Sequence, residues 1–459
     1  LVCFLGISFV GVIFVSLLLK LVGCGFILAA AFYSIRELPV SLTTTQEYPE
    51  HEVTTRLSKW TQHDTRWMLS LFGTSVGAGI LFLPINIGSG GFWSLVIMAL
   101  LAGPMTFWAH RGLARFVLSS SSSDADFTDV VEEHFGSRYG RLISALYFLS
   151  IFPILLIYGV GLTNTVDSFI VHQLGWQAPS RVLLSGGLVF LMITVMLAGE
   201  KAMLKAFEVI VYPLAFILAG ISIYLIPSWH VPNLNFSQSI TEFSSSLWLS
   251  IPVVVFAFSY TPVVSGFVNA QRRQYGDHAH RKSETILKRT SMMLITFVLF
   301  FVFSCVLSLS PEQLQHAKMD NVSVLSYLAN VKDSHFIMLL GPLIAFIAIT
   351  SSFLGHFMGA RESFNGIVAK QTSLPLKTID KIGVVIMFFS IWFAAVMNPS
   401  ILGMMEALSG PVIAMILFIM PMLAVYRIES LKMYRGKIST WFILLMGSLA
   451  VAAIIFSLV

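Results

Sequence analysis

The sequence predicts an all-α polytopic membrane protein whose spans form two repeated, inverted halves, and three observations carry that expectation. Hydrophobic residues make up 56% of the 459-residue chain and charged residues only 11%, with a mean hydropathy of +0.83. A globular domain is about a quarter charged. Helices are the way to span lipid with so little alternation of polar and apolar residues. Second, eleven apolar runs follow one another from Trp67 onward. Third, two of these runs, five apart, are interrupted near mid-membrane, the sequence sign of an inverted repeat with a binding site between its halves.

In chain order, residues 1–33 are apolar apart from Lys20 and a few serines. They lack the basic leader and cleavage site of a signal peptide. They read as a non-native extension or as an extra helix. Residues 34–66 are expected to form a polar cytoplasmic linker, and 67–459 an eleven-helix membrane domain. Its spans are expected at 67–88, 92–117, 142–171, 182–197, 207–227, 247–271, 291–309, 336–360, 382–397, 401–426 and 441–458. With the linker inside, twenty-three basic residues from Arg56 onward fall on the inner side and three (Arg181, Lys318, Lys332) outside. That is the positive-inside pattern, and it puts the C-terminus outside. The net charge of +5 is therefore a topology signal and not one of nucleic-acid binding. Cys3, Cys24 and Cys305 lie in apolar runs, with neither metal-ligand spacing nor a disulfide framework.

Two loops carry extra content. Residues 126–135 set Val130, Val131 and Phe135 against Asp129, Glu132 and Glu133, the pattern of a short amphipathic helix at the inner surface. The outer loop 310–335 holds a helical pattern near 322–328 that would cap an outer vestibule.

The first interruption is Gly73-Thr74-Ser75-Val76-Gly77-Ala78-Gly79. Three glycines within seven residues make unwinding cheap. Unwound backbone in lipid must be received by protein or a polar cavity, and a half-helix N-terminus at the midplane favours an anion such as a carboxylate. The alternative is a small-residue packing face, with Gly73 and Gly77 admitting a neighbouring helix. In the sixth span Pro262 removes a helical N–H and clashes with the carbonyl of Phe258, so a break falls at Phe258-Ser259-Tyr260-Thr261. A continuous kinked helix is the alternative there.

Other polar residues inside the spans are few. Tyr158, Thr163, Asn164 and Asp167 recur along the third span; Thr350, Ser351, Ser352 and His356 lie in the eighth; Glu406 is in the tenth. A charge at membrane depth is costly unless paired or facing water, so Glu406 and His356 stand out as ion-coupling candidates.

The run from Gly73 through Pro84 to Asn86, with Pro104–Arg111, Val130–Gly136, Thr163–Phe169 and Asn398–Leu408, strongly resembles the hydroxy and aromatic amino acid permeases, nearest to their bacterial serine/threonine branch. The resemblance runs from Asp64 to the C-terminus. It implies a LeuT-type five-plus-five inverted repeat plus an eleventh helix, in a secondary symporter of the bacterial inner membrane driven by protons. Relatives resemble Lys-Ser-Phe-Phe-Gly-His where this chain has Ser351-Ser352-Phe353-Leu354-Gly355-His356. The lysine would sit where sodium-coupled LeuT-type carriers hold their ion, so Ser351 and Ser352 open a sodium reading.

The expected activity is thus import of a small hydroxy amino acid, serine and then threonine, with H+ as the coupling cation and Na+ as the alternative. The substrate carboxylate would meet N–H groups around Ser75–Gly79, and its ammonium the carbonyls around Phe258–Thr261. Its hydroxyl would meet Thr74, Ser259, Tyr158 or Ser352, and Asn164 joins the site as a further candidate. Thr350, Ser351 and Ser352 are the candidate sodium ligands. No cofactor is expected. A membrane enzyme would need a converging nucleophile and base or metal ligands, and none converge in the sequence. A non-transporting amino-acid sensor is the other rival.

Overall fold

The computed structural model of the chain describes residues 60–197, 200–230, 239–332 and 334–457. The apolar stretch 1–33 and most of the polar linker, with Cys3 and Cys24, lie outside the described residues. Those described are helical nearly throughout, with no strand among them.

The first predicted span is a bent pair, α1 (Gln62–Ser75) and α2 (Ala78–Ser89), whose axes differ by 52°. Then come α3 (Gly91–Leu118), α4 (Phe127–Ser168), α5 (Arg181–Leu197) and α6 (Glu200–Leu225). The sixth predicted span is α7 (Ile240–Ala257) and α8 (Val264–Tyr275), joined by a single 3-10 turn at Thr261–Val263. Beyond it lie α9 (Ala279–Ser308), two short helices α10 (Pro311–Met319) and α11 (Val324–Val331), then α12 (His335–Ala369) and α13 (Leu376–Met397). The chain ends in α14 (Ile401–Arg427) and α15 (Ile438–Ser457).

Each of the eleven predicted apolar runs falls on one of these elements. Among the described residues six helical runs are long and apolar enough to cross a bilayer, and the bent α1–α2 pair makes a seventh. Three shorter apolar helices join them, and one run, Ile240–Ser308, is 69 residues long. A crossing needs about 20 residues, so that run holds both the broken sixth span and α9.

Local chemistry explains the ends. Thr61 caps α1 by accepting from the Asp64 N–H, while the Asp64 carboxylate accepts from the Thr61 N–H, and Asp126 with Asp129 repeats this box at α4. Within α4, Gly136 has φ 77° and ψ 167°. A side chain disfavours that conformation, and it separates the predicted amphipathic stretch from the membrane-crossing part. The helical pattern expected near 322–328 is α11, and α10 precedes it in the same loop.

The helices sort by what they face. α5 and α13 expose Leu183, Phe190, Phe389 and Phe393, apolar side chains for which lipid is the natural solvent. Residues of α1, α2, α7, α8 and α12 are mostly buried. Helices in lipid associate through close packing of small residues, since lipid tails are as apolar as leucine. Gly355 and Gly359 of α12 do this: a Cβ on Gly355 would lie 2.7 Å from Thr74 Oγ1, and one on Gly359 2.6 Å from Pro262 Cβ. Together with Gly77, where a Cβ would stand 2.5 Å from Ser352 Cβ, they lay α12 against α1 and the turn before α8.

At one end of this bundle Lys282 Nζ sits 2.7 Å from Asp64 Oδ2, both side chains almost fully buried. Tyr275 donates to the other carboxylate oxygen at 2.6 Å. The pair ties α1 to the start of α9. Removing one partner of a buried pair strands the other charge. Lys282→Met is expected to cost about 3 kcal/mol, the low end of the range for such pairs because Asp64 keeps its other bonds. Asp64→Asn with Lys282→Met should recover most of it. Thermal unfolding of the purified variants measures both.

Candidate functional site

The first break is short. α1 stops at Ser75, and Val76 (φ −76°, ψ 93°) and Gly77 (φ −148°, ψ −152°) run extended before α2 begins at Ala78. The Val76 N–H still reaches back to the Phe72 carbonyl at 2.9 Å, and those of Ile80 and Leu81 turn to Gly77 O at 3.2 and 3.4 Å. The leading N–H groups of α2, on Ala78 and Gly79, have no carbonyl one turn behind them. They are the positive end of a helix that starts inside the bundle.

The second break lies against it. α7 stops at Ala257, Phe258 turns, and Ser259 and Tyr260 are non-helical before the 3-10 turn. Pro262 has no N–H to return to the Phe258 carbonyl. Ser75 Oγ donates to the Ala257 carbonyl at 3.2 Å, one bond joining the end of α1 to the end of α7. The approach depends on Gly79, where a Cβ would stand 2.6 Å from Ala257 Cα and 2.7 Å from the Phe256 ring. Ser259 and Thr261 share a hydroxyl–hydroxyl bond of 2.9 Å beside the break.

α12 and α4 close the third side. Ser352 Oγ donates to the Thr74 carbonyl at 2.5 Å and lies 2.6 Å from Tyr158 OH. Its one proton is committed to Thr74, so Tyr158 donates to it. Ser351 Oγ donates to Ala348 O at 3.0 Å and lies 3.5 Å from Gly73 O. Three carbonyls and two hydroxyls thus gather where α12 meets α1. His356 Nδ1 lies 2.9 Å from Ser352 O, and its ring meets Tyr158 edge-on at 5.3 Å. A Cβ on Gly77 would be 2.5 Å from Ser352 Cβ and 3.0 Å from Tyr158 OH. All of these residues are buried, so the cluster is closed to solvent. Its groups are neutral amides, carbonyls, hydroxyls and an imidazole.

The structure thus brings together Gly73, Thr74, Ser75, Val76, Gly77, Ala78, Gly79, Tyr158, Phe258, Ser259, Tyr260, Thr261, Ser351, Ser352 and His356. Thr350 is the neighbour of Ser351, and its hydroxyl is buried without a partner. Two candidates lie elsewhere. Asn164, six residues beyond Tyr158 on α4, donates to Asn321 O and Asn398 Oδ1 and accepts from Arg181. Glu406 accepts from Asn86 Nδ2 at 2.8 Å, near the far end of α2. Among the described residues no group of three or more His, Cys, Asp or Glu gathers as metal ligands.

Reading the sequence for buried polar groups missed His110. It lies 1% exposed on α3 and reaches the second break through Tyr260. The signal was available, an imidazole inside the run expected to span at 92–117.

The sequence model of the tryptophan/tyrosine permease family matches residues 67–459. The serine transporters SdaC of Escherichia coli K12 and of Shigella flexneri are each 48% identical over 412 residues, 87% of this chain and 96% of theirs. Among solved structures, MhsT in complex with L-phenylalanine superposes with a TM-score of 0.53 at 15% identity, over 86% of this chain and 97% of that one. The shared fold is the LeuT type, a five-span unit repeated upside-down and followed by an eleventh helix.

The contact at Gly79 is with backbone and an aromatic ring, which yield little. Gly79→Ala is expected to cost about 1–3 kcal/mol by overpacking. At Gly103 of α3 a Cβ would meet only Ile295 Cγ1, at 4.0 Å. Gly103→Ala should be neutral or stabilising, as Ala is in a helix interior. Thermal unfolding of the two variants side by side checks the contrast.

Proposed function

The chain belongs to the tryptophan/tyrosine permease family, and from that membership we propose that it imports serine, and threonine second, with a coupling cation. As a member it is a multi-pass membrane permease and not an enzyme. The observation that carries the proposal is the Ser75–Ala257 bond, which sets the two breaks face to face. Its closeness to proteins named serine transporters supports the choice of substrate.

In this reading the carboxylate takes the N–H groups that open α2, and the ammonium takes carbonyls of 258–260. The hydroxyl reader can be narrowed. Thr74 Oγ1 is engaged with Ser70 O at 2.8 Å, and Tyr158 and Ser352 are engaged with each other. Ser259 and Thr261 share a hydroxyl–hydroxyl bond that a substrate hydroxyl can replace, while Ser259 Oγ also accepts the Thr261 N–H at 3.4 Å. A site that hydrogen-bonds a hydroxyl rejects the analogue lacking it far better than it ranks close homologues. Since the cluster is closed to solvent, entry and exit need α1 and α8 to swing on one side and α2 and α7 on the other. Residues 67–459 then act as one eleven-span unit in the bacterial inner membrane, with the chain before Trp67 cytoplasmic and the C-terminus periplasmic, on the strength of the positive-inside pattern.

We take the proton as the first reading for the coupling ion, with His356 against Ser352 as its acceptor in the cluster. Sodium is the second, favoured by the five oxygens of Gly73, Thr74, Ala348, Ser351 and Ser352, the donor type a hard cation takes.

Counterflow tests the substrate. Proteoliposomes loaded with unlabelled serine should accumulate labelled serine, threonine-loaded ones less, and alanine-loaded ones little. Equal exchange with alanine would contradict the hydroxyl site. Gly77→Leu should insert normally and bind no serine, because its side chain fills the space before Ser352 and Tyr158. An inward pH gradient without sodium should drive uptake, and a protonophore should abolish it. A strict sodium requirement, raised by Ser351→Ala, would replace the proton reading with the sodium one.

A further inference from the structure

We infer that His110 is a positioning residue for the substrate ammonium, holding the second break in its working shape; the inference rests on the amino-acid site proposed above. Where α7 ends, the Tyr260 N–H leaves the helical ladder, and an unpaired buried N–H is costly, more so where no water can reach it. His110 Nε2 accepts that N–H at 3.1 Å. Its other nitrogen, Nδ1, lies 2.7 Å from the Thr106 carbonyl one turn back on α3. A carbonyl only accepts, so Nδ1 carries the proton and Nε2 presents its lone pair. The two rings stack at 3.5 Å and 16°, and both residues are almost fully buried.

The consequence follows from peptide geometry. The Tyr260 N–H and the Ser259 carbonyl belong to one planar trans unit and point opposite ways. Anchoring the N–H on α3 aims the Ser259 carbonyl away from α3. That carbonyl, with its neighbour on Phe258, is where the ammonium is placed. His110 therefore acts at one remove, fixing the direction of an acceptor without touching the substrate. No other neutral side chain offers a donor and an acceptor on opposite corners of a rigid ring.

Two variants separate the roles of its nitrogens. The amide of His110→Asn can keep the Thr106 bond but stops short of Tyr260, whereas that of His110→Gln reaches the Nε2 position. Serine uptake by the full-length carrier in proteoliposomes is measured per mole of folded protein, with thermal unfolding alongside. His110→Asn should lower the melting temperature, because the Tyr260 N–H loses its partner, and raise KM about tenfold while Vmax changes little. His110→Gln should return KM to within about threefold of the parent. Two results would overturn the inference: an unchanged KM in His110→Asn, or equal KM defects in both variants although both are folded. A parent protein that fails to carry serine at all would instead refute the transport reading. If His110→Asn does not fold, His110→Phe, which keeps the stacking and loses the acceptor, takes its place in the comparison with His110→Gln.

Discussion

A peptide group buried in a bilayer has no water to bond, and that constraint governs this structure. Regular helix satisfies it automatically; an interruption does not, and leaves donors and acceptors that protein must receive. Here two interruptions meet, and side chains from three helices answer for what they expose. Ser75 takes the Ala257 carbonyl, Ser352 the Thr74 carbonyl and His110 the Tyr260 N–H, and Ser351 Oγ stands 3.5 Å from the Gly73 carbonyl. Each polar side chain would be costly in lipid by itself. Each is tolerable because a break supplies its partner.

The rest of the bundle makes those meetings possible. α12 lies close to α1 and α8 because Gly355 and Gly359 leave no side chain between them, and this brings Ser351 and Ser352 within reach of carbonyls in the last turn of α1. On another side a polar knot joins α4, the turn between α10 and α11, and the turn before α14. Asn321 and Asn398 both have positive φ there, 55° and 50°, a conformation Asn tolerates better than most residues. They bond to each other and to Asn164, so the short capping helices are tied to the scaffold.

Much of this was legible in the sequence, and for local reasons. The glycine run at 73–79 and Pro262 act on their own backbone, so the breaks fell where those residues put them. Among the described residues, the apolar runs likewise marked the long apolar helices. Helix ends were less visible. α9 begins at Ala279, well before its apolar stretch, because Arg281, Lys282 and Lys288 are good helix formers that carry no hydropathy signal. Partnerships were least visible. That Ser75 would face Ala257, or that Asn164 would join Asn321 and leave Tyr158 to the site, depends on how helices rotate against each other, which no single span encodes. His110 was passed over for the same reason, since its partner is 150 residues away.

The central claim is that substrate sits between the two breaks, and alkylation at Ser75 tests it most directly. A Ser75→Cys variant in proteoliposomes is treated with a small membrane-permeant thiol reagent, with and without serine, and the rate of labelling is followed. Of the native cysteines, Cys305 is buried, and Cys3 and Cys24 are replaced by serine in the parent protein so that labelling reports position 75. The account predicts that serine slows labelling at this position, that threonine does so less, and that alanine has little effect. A carrier that transports serine yet labels at the same rate in its presence would contradict the account and put the substrate elsewhere.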